Sequence, residues 1–331
     1  MVNGKGVNGE SSGGAELSTR AFILSRLRKK PGTYITGESL AAGAGVSRVA
    51  VWKGVRSLVE AGYAVTSCPQ GYRLEDTEDD FLYPWEFGGE EGRFRHFAVT
   101  DSTMNRAREC AFGNAPGGTV ITAETQTAGR GRNGKKWSSE KGGLFFTMLE
   151  RPRLSVVNYA LLVMAAHIAV CRAVSRVCRT DAFLRWPNDV YSGGKKTAGI
   201  LSELYGEGDG IKWMAVGAGI NVNNRLPVGA SGCASLAGRA VSRRDTLLSV
   251  LDEFSRIKRA AADPERIRNL WNYHAEGTGR RVVFAGGGKD NNRDILARGI
   301  FLGVDYSFRC VIQTGEETAG FLPAQGSLVF Y

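Results

Sequence analysis

Residues 129–137 read Gly-Arg-Gly-Arg-Asn-Gly-Lys-Lys-Trp, with four cations set among three glycines, shortly after a predicted strand. Glycines let the backbone turn tightly and present its amides to an anion, and arginine forks bind phosphate oxygens in bidentate geometry. The stretch therefore predicts a loop that a bound nucleotide would order. Taken alone, it is equally compatible with a flexible basic surface loop or a generic nucleic-acid contact.

A second motif, Arg185-Trp186-Pro187-Asn188-Asp189, ends a predicted strand. Because proline interrupts strand pairing, Asn188 and Asp189 are presented at a strand end, where sites commonly form. Lys196 follows seven residues after Asp189 on the returning strand of the same hairpin, which can bring an ammonium near that carboxylate. Pro-Asn-Asp by itself is usually a turn, and Lys195 and Lys196 would also simply solubilise an edge strand.

The surrounding residues predict an α+β fold with a central mixed sheet. The turn at 192–194 is too short for a crossover helix, so its flanking strands must be antiparallel neighbours. A long apolar helix, about Asn158 to Cys178, is expected to pack on the sheet, with further helices near 244–260 and 264–273. Predicted strands are Phe94–Thr100, Thr119–Glu124, Leu144–Glu150, Ala182–Trp186, Lys196–Leu204 and Lys212–Asn221.

The N-terminal region, residues 18–76, predicts a winged helix-turn-helix. Thr36 and Ser47 are suitable N-caps for two short helices joined by a glycine-containing turn, and two short strands follow. Through Leu74 there are ten Lys or Arg against four Asp or Glu, which favours phosphate contact. The alternative is a head that only packs against the rest of the chain. Candidate DNA-binding residues on the third helix are Ser47, Arg48, Lys53 and Arg56, with Trp52 on the same face.

The remaining boundaries come from composition. Residues 1–17 are rich in Gly, Asn and Ser and predict a disordered tail. An acidic stretch opens a predicted linker at 77–92, a catalytic domain is expected at 93–276, and short strands at 277–331 suggest a small closed barrel.

Overall composition limits the class of protein. The formal charge of +10 favours an acidic partner, and 43% hydrophobic residues fit a globular chain. Six scattered cysteines form no metal or disulfide pattern, so we expect no metal site and a reducing cytoplasm. The apolar run 159–170 is too short to span a bilayer, so we expect a buried helix and no membrane association.

Three motifs in one order and spacing resemble the biotin–protein ligase family: Gly-Arg-Gly-Arg-x-Gly-x-x-Trp at 129–137, x-Trp-Pro-Asn-Asp at 185–189, and Lys-x-Ala-Gly-Ile-Leu at 196–201. The match runs from about Phe94 to Asn223. With the winged helix before it and a small SH3-like barrel after it, the chain resembles the bifunctional ligase/repressor members. The resemblance implies that ATP and biotin form biotinyl-5′-adenylate, which passes biotin to a lysine of a biotin carboxyl carrier protein.

The resemblance also implies roles for individual residues. The expected catalytic residues are Lys196, Arg130, Arg132 and Asp189, with Asp189 orienting the lysine or the magnesium-bound phosphates, or acting as a base. The expected biotin-binding residues are Ser102, Thr103, Met104, Gln126, Arg130, Gly131, Arg132 and Lys196. The expected nucleotide-binding residues are Arg132, Lys135, Trp137, Asn188 and Asn221.

The resemblance also implies how DNA binding is regulated. The adenylate is expected to act as corepressor, favouring a homodimer whose paired heads bind operator DNA. Four residues depart from the family prototype: Met104, Asn133, Lys135 and Arg185. The change to Asn133 is expected to weaken the binding of phosphate.

Two alternative functions remain open. One is a lipoate–protein ligase, which also proceeds through an acyl-adenylate, and the other is a winged-helix regulator that senses biotin without transferring it.

Overall fold

A computed structural model describes residues 17–75, 80–152, 159–208, 210–259, 263–286 and 294–331. The chain divides into two compact units, Met1–Phe94 and Arg95–Tyr331. The predicted disordered tail lies outside the described residues, apart from Leu17.

The first unit is the winged helix-turn-helix that the caps predict. Ser18, Thr36 and Ser47 each accept a hydrogen bond through the side chain from the backbone amide three residues on, which satisfies the free donors at the start of each helix. Gly45, in the left-handed conformation, ends the second helix. The elements are α1 (Thr19–Arg28), α2 (Gly37–Ala44), α3 (Arg48–Glu60), and the antiparallel wing β1 (Val65–Cys68) and β2 (Gly71–Leu74).

The mid-helix Gly54 of α3 is explained by close packing of α1 and α3. A Cβ atom at this position would lie 2.8 Å from Ile23 Cδ1, and Ile23 is fully buried. A larger side chain would therefore force the two helices apart. The element that approaches this glycine is therefore α1.

Residues 80–94 pack on the first unit instead of forming the linker predicted at 77–92. They contain 3₁₀ turns over Pro84–Arg93, and Tyr83 and Trp85 stack with ring centroids 4.6 Å apart. Glu86 is 3% exposed and accepts hydrogen bonds from Arg28 and from the Tyr63 hydroxyl. The acidic residues at 75–80 suggest a solvated segment, whereas the aromatic residues that follow them supply the apolar surface that docks.

We expect Glu86→Ala to weaken the first unit by about 1–3 kcal/mol, because Arg28 and Tyr63 lose a buried acceptor. Hydrogen exchange of the α1 and α3 amides in the full chain measures this opening free energy locally. Glu90→Ala is the matched control, since its ion pair with Arg93 is exposed. Equal protection in both variants would contradict the role assigned to Glu86.

The second unit contains a seven-stranded mixed sheet of order β3-β4-β5-β9-β8-β7-β6. Neighbouring strands from β4 to β6 along this order are antiparallel, including the β7–β8 hairpin. Thr127 N donates to Thr100 O and Ala128 N to Asp101 O, an ascending pattern typical of the parallel pair β3 and β4. The bounds are β3 (Phe94–Thr100), α4 (Thr103–Phe112), β4 (Thr119–Gln126), β5 (Leu144–Glu150), β6 (Ala182–Arg185), β7 (Asp189–Ser192), β8 (Lys195–Glu207) and β9 (Gly210–Ile220).

The apolar helix α5 (Tyr159–Cys178) forms the core on one face of this sheet, as predicted. It is long and apolar enough to cross a membrane by length and composition alone, with a mean hydropathy of 1.7, yet 78% of that stretch is buried in the protein. The helices that follow are α6 (Cys233–Ala237), α7 (Arg243–Arg259) and α8 (Pro264–His274). All six cysteines are free.

The C-terminal strands form a five-stranded antiparallel sheet of order β13-β12-β11-β10-β14. Phe284, Phe301 and Ile312 are buried within it. The indole N–H of Trp186, in the second motif, donates to the Phe308 carbonyl oxygen at 3.1 Å, which ties this sheet to the larger one. The strands are β10 (Arg281–Gly286), β11 (Ile295–Val304), β12 (Cys310–Thr314), β13 (Glu317–Phe321) and β14 (Gly326–Phe330).

Candidate active site

A cavity of about 320 Å³ is lined by residues 199–201 of β8 and 217–219 of β9. It brings together residues from the basic loop, from the start of α4 and from the β7–β8 hairpin. Of the predicted site residues, those that line it are Ser102, Thr103, Met104, Gln126, Arg130, Gly131, Arg132, Lys135, Trp137, Asn188, Asp189 and Lys196. The three motifs, far apart in sequence, therefore share one site.

The ion pair between Lys196 and Asp189 lies in the wall of this cavity. Lys196 Nζ is 2.7 Å from Asp189 Oδ1, as the hairpin spacing predicts. A register shift between Val190 and Tyr191 in β7 brings the two charged residues onto the same side of the hairpin. Both side chains are partly exposed, at 32% for Lys196 and 23% for Asp189, so the ammonium remains accessible to a ligand.

Arg132 is held by the backbone of the turn that leads into β14 of the C-terminal sheet. Its two terminal nitrogens donate to the carbonyl oxygens of Pro323 at 2.6 Å and Gly326 at 2.8 Å. Burial lowers the pKa of the Arg132 guanidinium from its ordinary value, and Asp189 acts in the opposite direction. Ser327, from the same sheet, also lines the cavity. Sequence reasoning assigned this sheet no part in the site, and no local signal at these positions marks it.

The basic loop folds back on itself as a small hairpin. Gly131 N donates to Lys135 O at 2.7 Å, and Trp137 N donates to Gly129 O at 2.9 Å. At its tip, Asn133 has φ 57° and ψ 34°, in the left-handed region that asparagine tolerates better than arginine does. The departure at Asn133 therefore favours the tight turn of this loop.

Trp137 closes the floor of the cavity against two strands that lack side chains there. A Cβ atom at Gly219 would lie 2.3 Å from Trp137 Nε1, and one at Gly199 would lie 2.9 Å from the indole ring. The Lys196 ammonium lies 5.2 Å from the centroid of the Trp137 ring, within cation–π range. Among the described residues, Trp137 Nε1 is a buried donor without a hydrogen-bond partner.

The opposite end of the cavity is a network of neutral polar groups. Gln126 Oε1 accepts hydrogen bonds from Thr103 N at 2.8 Å and from Thr103 Oγ1 at 3.2 Å. The Gln126 amide nitrogen donates to Ser139 Oγ at 2.8 Å, and Ser102 Oγ caps α4 by accepting from Met104 N. Met104 is buried and adds an apolar wall. This end therefore suits a neutral ligand with both polar and apolar surface.

Arg130 lies at the cavity mouth and is held from below by α4. One guanidinium nitrogen donates to Asn105 Oδ1 at 2.5 Å. A hydrogen bond from the Asn105 amide, and a second one from Arg106, hold the pKa of Asp101 well below its usual range. The ionised Asp101 therefore fixes the amide group of Asn105, whose oxygen accepts the hydrogen bond from Arg130.

One predicted site residue lies outside the cavity, and one residue without a predicted role lies in its wall. Asn221, predicted to bind nucleotide, does not line the cavity; it is 3% exposed, and its Oδ1 accepts from Asn224 Nδ2 at 3.2 Å. Arg185, noted only as a departure from the family, does line it. Arg185 forms a two-point ion pair with Glu276 and stacks 3.6 Å from the centroid of the Tyr191 ring.

Comparison with known proteins identifies the family of this chain. Residues 96–221 match the biotin/lipoate A/B protein ligase family, and residues 19–73 match an HTH domain. The bifunctional ligase/repressor BirA of Bacillus subtilis (strain 168) is 32% identical over 267 residues, which cover 75% of this chain and 82% of that protein. The chain belongs to the biotin–protein ligase family.

Other members of the family are also similar. The biotin–[acetyl-CoA-carboxylase] ligase of Paracoccus denitrificans is 32% identical over 69% of this chain and 96% of its own length. The solved biotin protein ligase of Aquifex aeolicus in complex with biotin and ATP aligns with a TM-score of 0.59 and 28% identity, over 72% of this chain and 99% of that one. The biotin–protein ligase fold is thus shared over most of this chain.

We expect Gly219→Ala to destabilise this ligase by about 1–3 kcal/mol, because the new methyl group overlaps the Trp137 indole. The free energy of unfolding in urea measures the loss. Gly210→Ala, in the same strand, is the control, since the nearest atom to its added Cβ is 3.8 Å away.

A Trp137→Ala change in the Gly219→Ala background removes the clash, so the two substitutions should be non-additive. Strictly additive losses would show that Trp137 does not rest on Gly219.

Proposed function

We propose that this protein is an ATP-dependent biotin–protein ligase that also serves as a biotin-responsive transcriptional repressor. The observation that carries the enzymatic part is the convergence of two cations, Lys196 and Arg132, on one cavity whose far end is neutral and polar. The winged helix-turn-helix of residues 19–73 supports the regulatory part.

The cations serve the first half-reaction, in which two anions must approach each other. A biotin carboxylate oxygen attacks the α-phosphorus of ATP, the bond to the bridging oxygen breaks, and pyrophosphate leaves with that electron pair. Lys196 and Arg132 reduce the repulsion between carboxylate and phosphate and stabilise the charge of the transition state. Asp189 orients the Lys196 ammonium through the 2.7 Å ion pair.

The remaining cavity residues divide between the two substrates. Ser102, Thr103 and Gln126 hold the ureido ring of biotin, and Met104 packs on its apolar part. Arg130 and Gly131 close over the carboxylate. Trp137, Lys135 and Asn188 bind the nucleotide, and the buried Trp137 indole N–H is a donor that a nucleotide acceptor would satisfy.

Magnesium would bind together with the nucleotide. The described residues contain no group of three or more His, Cys, Asp or Glu side chains that could hold a metal. Asp189 supplies a carboxylate in the cavity, which fits an ion held mainly by phosphate oxygens and water. Magnesium bound to ATP would neutralise the departing pyrophosphate.

In the second half-reaction, a lysine amine of a biotin carboxyl carrier protein attacks the mixed anhydride and AMP leaves. The chain itself needs no nucleophile for either step. We place catalysis in residues 93–276 and the reaction in the cytoplasm. We further propose that the adenylate-bound form is a homodimer whose paired heads bind operator DNA.

We expect Lys196→Ala to lower biotin-dependent pyrophosphate release by about 10²–10³-fold, because it removes a cation that acts on the transition state. Lys195→Ala is the matched control: the neighbouring lysine is exposed and does not line the cavity. If both variants released pyrophosphate at the wild-type rate, the proposed catalytic centre would be misplaced.

Two observations distinguish the biotin ligase from its alternatives: which acid, biotin or lipoate, is adenylated, and whether that acid is transferred to a carrier. Incubation with ATP, magnesium and an equimolar mixture of biotin and lipoate should yield biotinyl-adenylate, and mass spectrometry should then find one added biotin on a carrier domain. Lipoyl-adenylate alone would identify a lipoate ligase. Bound biotin without any labelled carrier would identify a non-catalytic sensor.

Dimerisation is tested by sedimentation with and without biotin and ATP. The proposal predicts a monomer without ligand and a dimer with the adenylate, together with tighter DNA binding. A monomer in both states, with unchanged DNA affinity, would refute the coupling.

A further inference from the structure

The helix α3 exposes apolar side chains on the face opposite its core. Val51, Val55 and Leu58 are buried, whereas Val49 is 61% and Trp52 is 50% exposed. Residues three apart on a helix are neighbours on the same surface, so Val49 and Trp52 form one apolar strip at the N-terminal half of α3. In a helix-turn-helix, this half of the second helix contacts base edges in the major groove.

Cations frame this strip. Arg48, Lys53 and Arg56 are exposed around it, and the Arg56 guanidinium lies 5.7 Å from the centroid of the Trp52 ring. The nearby carboxylate of Glu60 accepts from Arg56 Nε at 2.9 Å, which leaves Arg48 and Lys53 to attract an anionic partner. A second copy of the same face would bring like charges together, whereas duplex DNA presents phosphates on both sides of its groove.

We infer that Val49, supported by Trp52, recognises thymine methyl groups in the major groove of the operator. The C5 methyl of thymine is the apolar group that base pairs present there, and apolar side chains are its usual partners. The cations position the helix through phosphates without reading sequence. This inference rests on the proposed repressor function and adds to it the determinant of base specificity.

The experiment uses the full chain with biotin, ATP and magnesium. Duplexes that bind it are selected from a library with a random 40-base-pair core. The enriched duplex is then remade with deoxyuridine in place of thymidine, one position at a time, which removes the methyl group and keeps base pairing. Dissociation constants are compared at one salt concentration.

We expect deoxyuridine at one or two positions in each half-site to weaken wild-type binding about fourfold, the effect of burying one methyl group. Val49→Ala should bind the thymidine and deoxyuridine duplexes equally. Val59→Ala is the matched control, because Val59 is also exposed on α3 but lies near its C-terminal end. That control should keep the wild-type preference.

Lys53→Ala provides a second comparison, since loss of a phosphate contact should weaken both duplexes alike and reduce the salt dependence. The ratio of the two affinities reports base recognition even where a variant binds more weakly overall.

Each contrary result has a separate meaning. If the wild type binds an enriched duplex but does not distinguish deoxyuridine from thymidine at any position, the inference is wrong and the repressor function stands. If selection enriches no sequence, the repressor function fails as well. If Trp52→Ala dissociates a DNA-free dimer in sedimentation, the strip is a protein contact and the inference is overturned.

Discussion

The ion pair between Lys196 and Asp189 is the contact on which the site depends. A lysine side chain has many rotamers, and a neighbouring carboxylate at 2.7 Å restricts the ammonium to one region of the cavity. The pair exists because β7 and β8 form a tight antiparallel hairpin with a register shift. The large sheet thereby fixes a positive charge in the cavity before any substrate is bound, as the proposed reaction requires.

Around this pair, the site is completed by segments far apart in the chain. Trp137 approaches closely because Gly199 near the start of β8 and Gly219 near the end of β9 have no side chains. Arg132 reaches the cavity while bound to two carbonyl oxygens of the turn that leads into β14. This C-terminal segment therefore holds in place a cation that lines the cavity and that we propose to be catalytic.

The sequence predicts those features that depend on local chemistry. The caps at Thr36 and Ser47, the two-glycine turn of the β7–β8 hairpin and the buried helix α5 each follow from residues within a few positions of one another. The three motifs locate most of the cavity for the same reason: each is short and chemically distinctive.

Features that arise from long-range packing escape prediction. Arg132 and its partner Pro323 are 191 residues apart, and the bond goes to a backbone carbonyl that any residue could supply. Asn221 follows the strand that carries Gly219, yet its side chain bonds Asn224 and does not line the cavity. From sequence alone, residues 80–94 resemble a linker, because the core on which their aromatic side chains pack is formed only in the folded unit.

If Lys196 acts by bringing two mutually repelling anions together, as we propose, then supplying the joined product should make this lysine dispensable. Synthetic biotinyl-5′-adenylate is given to the Lys196→Ala variant together with a carrier domain, and biotin transfer is followed by mass spectrometry. We expect transfer to return to near the wild-type rate, because the repulsion has already been overcome. Transfer that stays as slow with the supplied adenylate as with biotin and ATP would contradict this proposal.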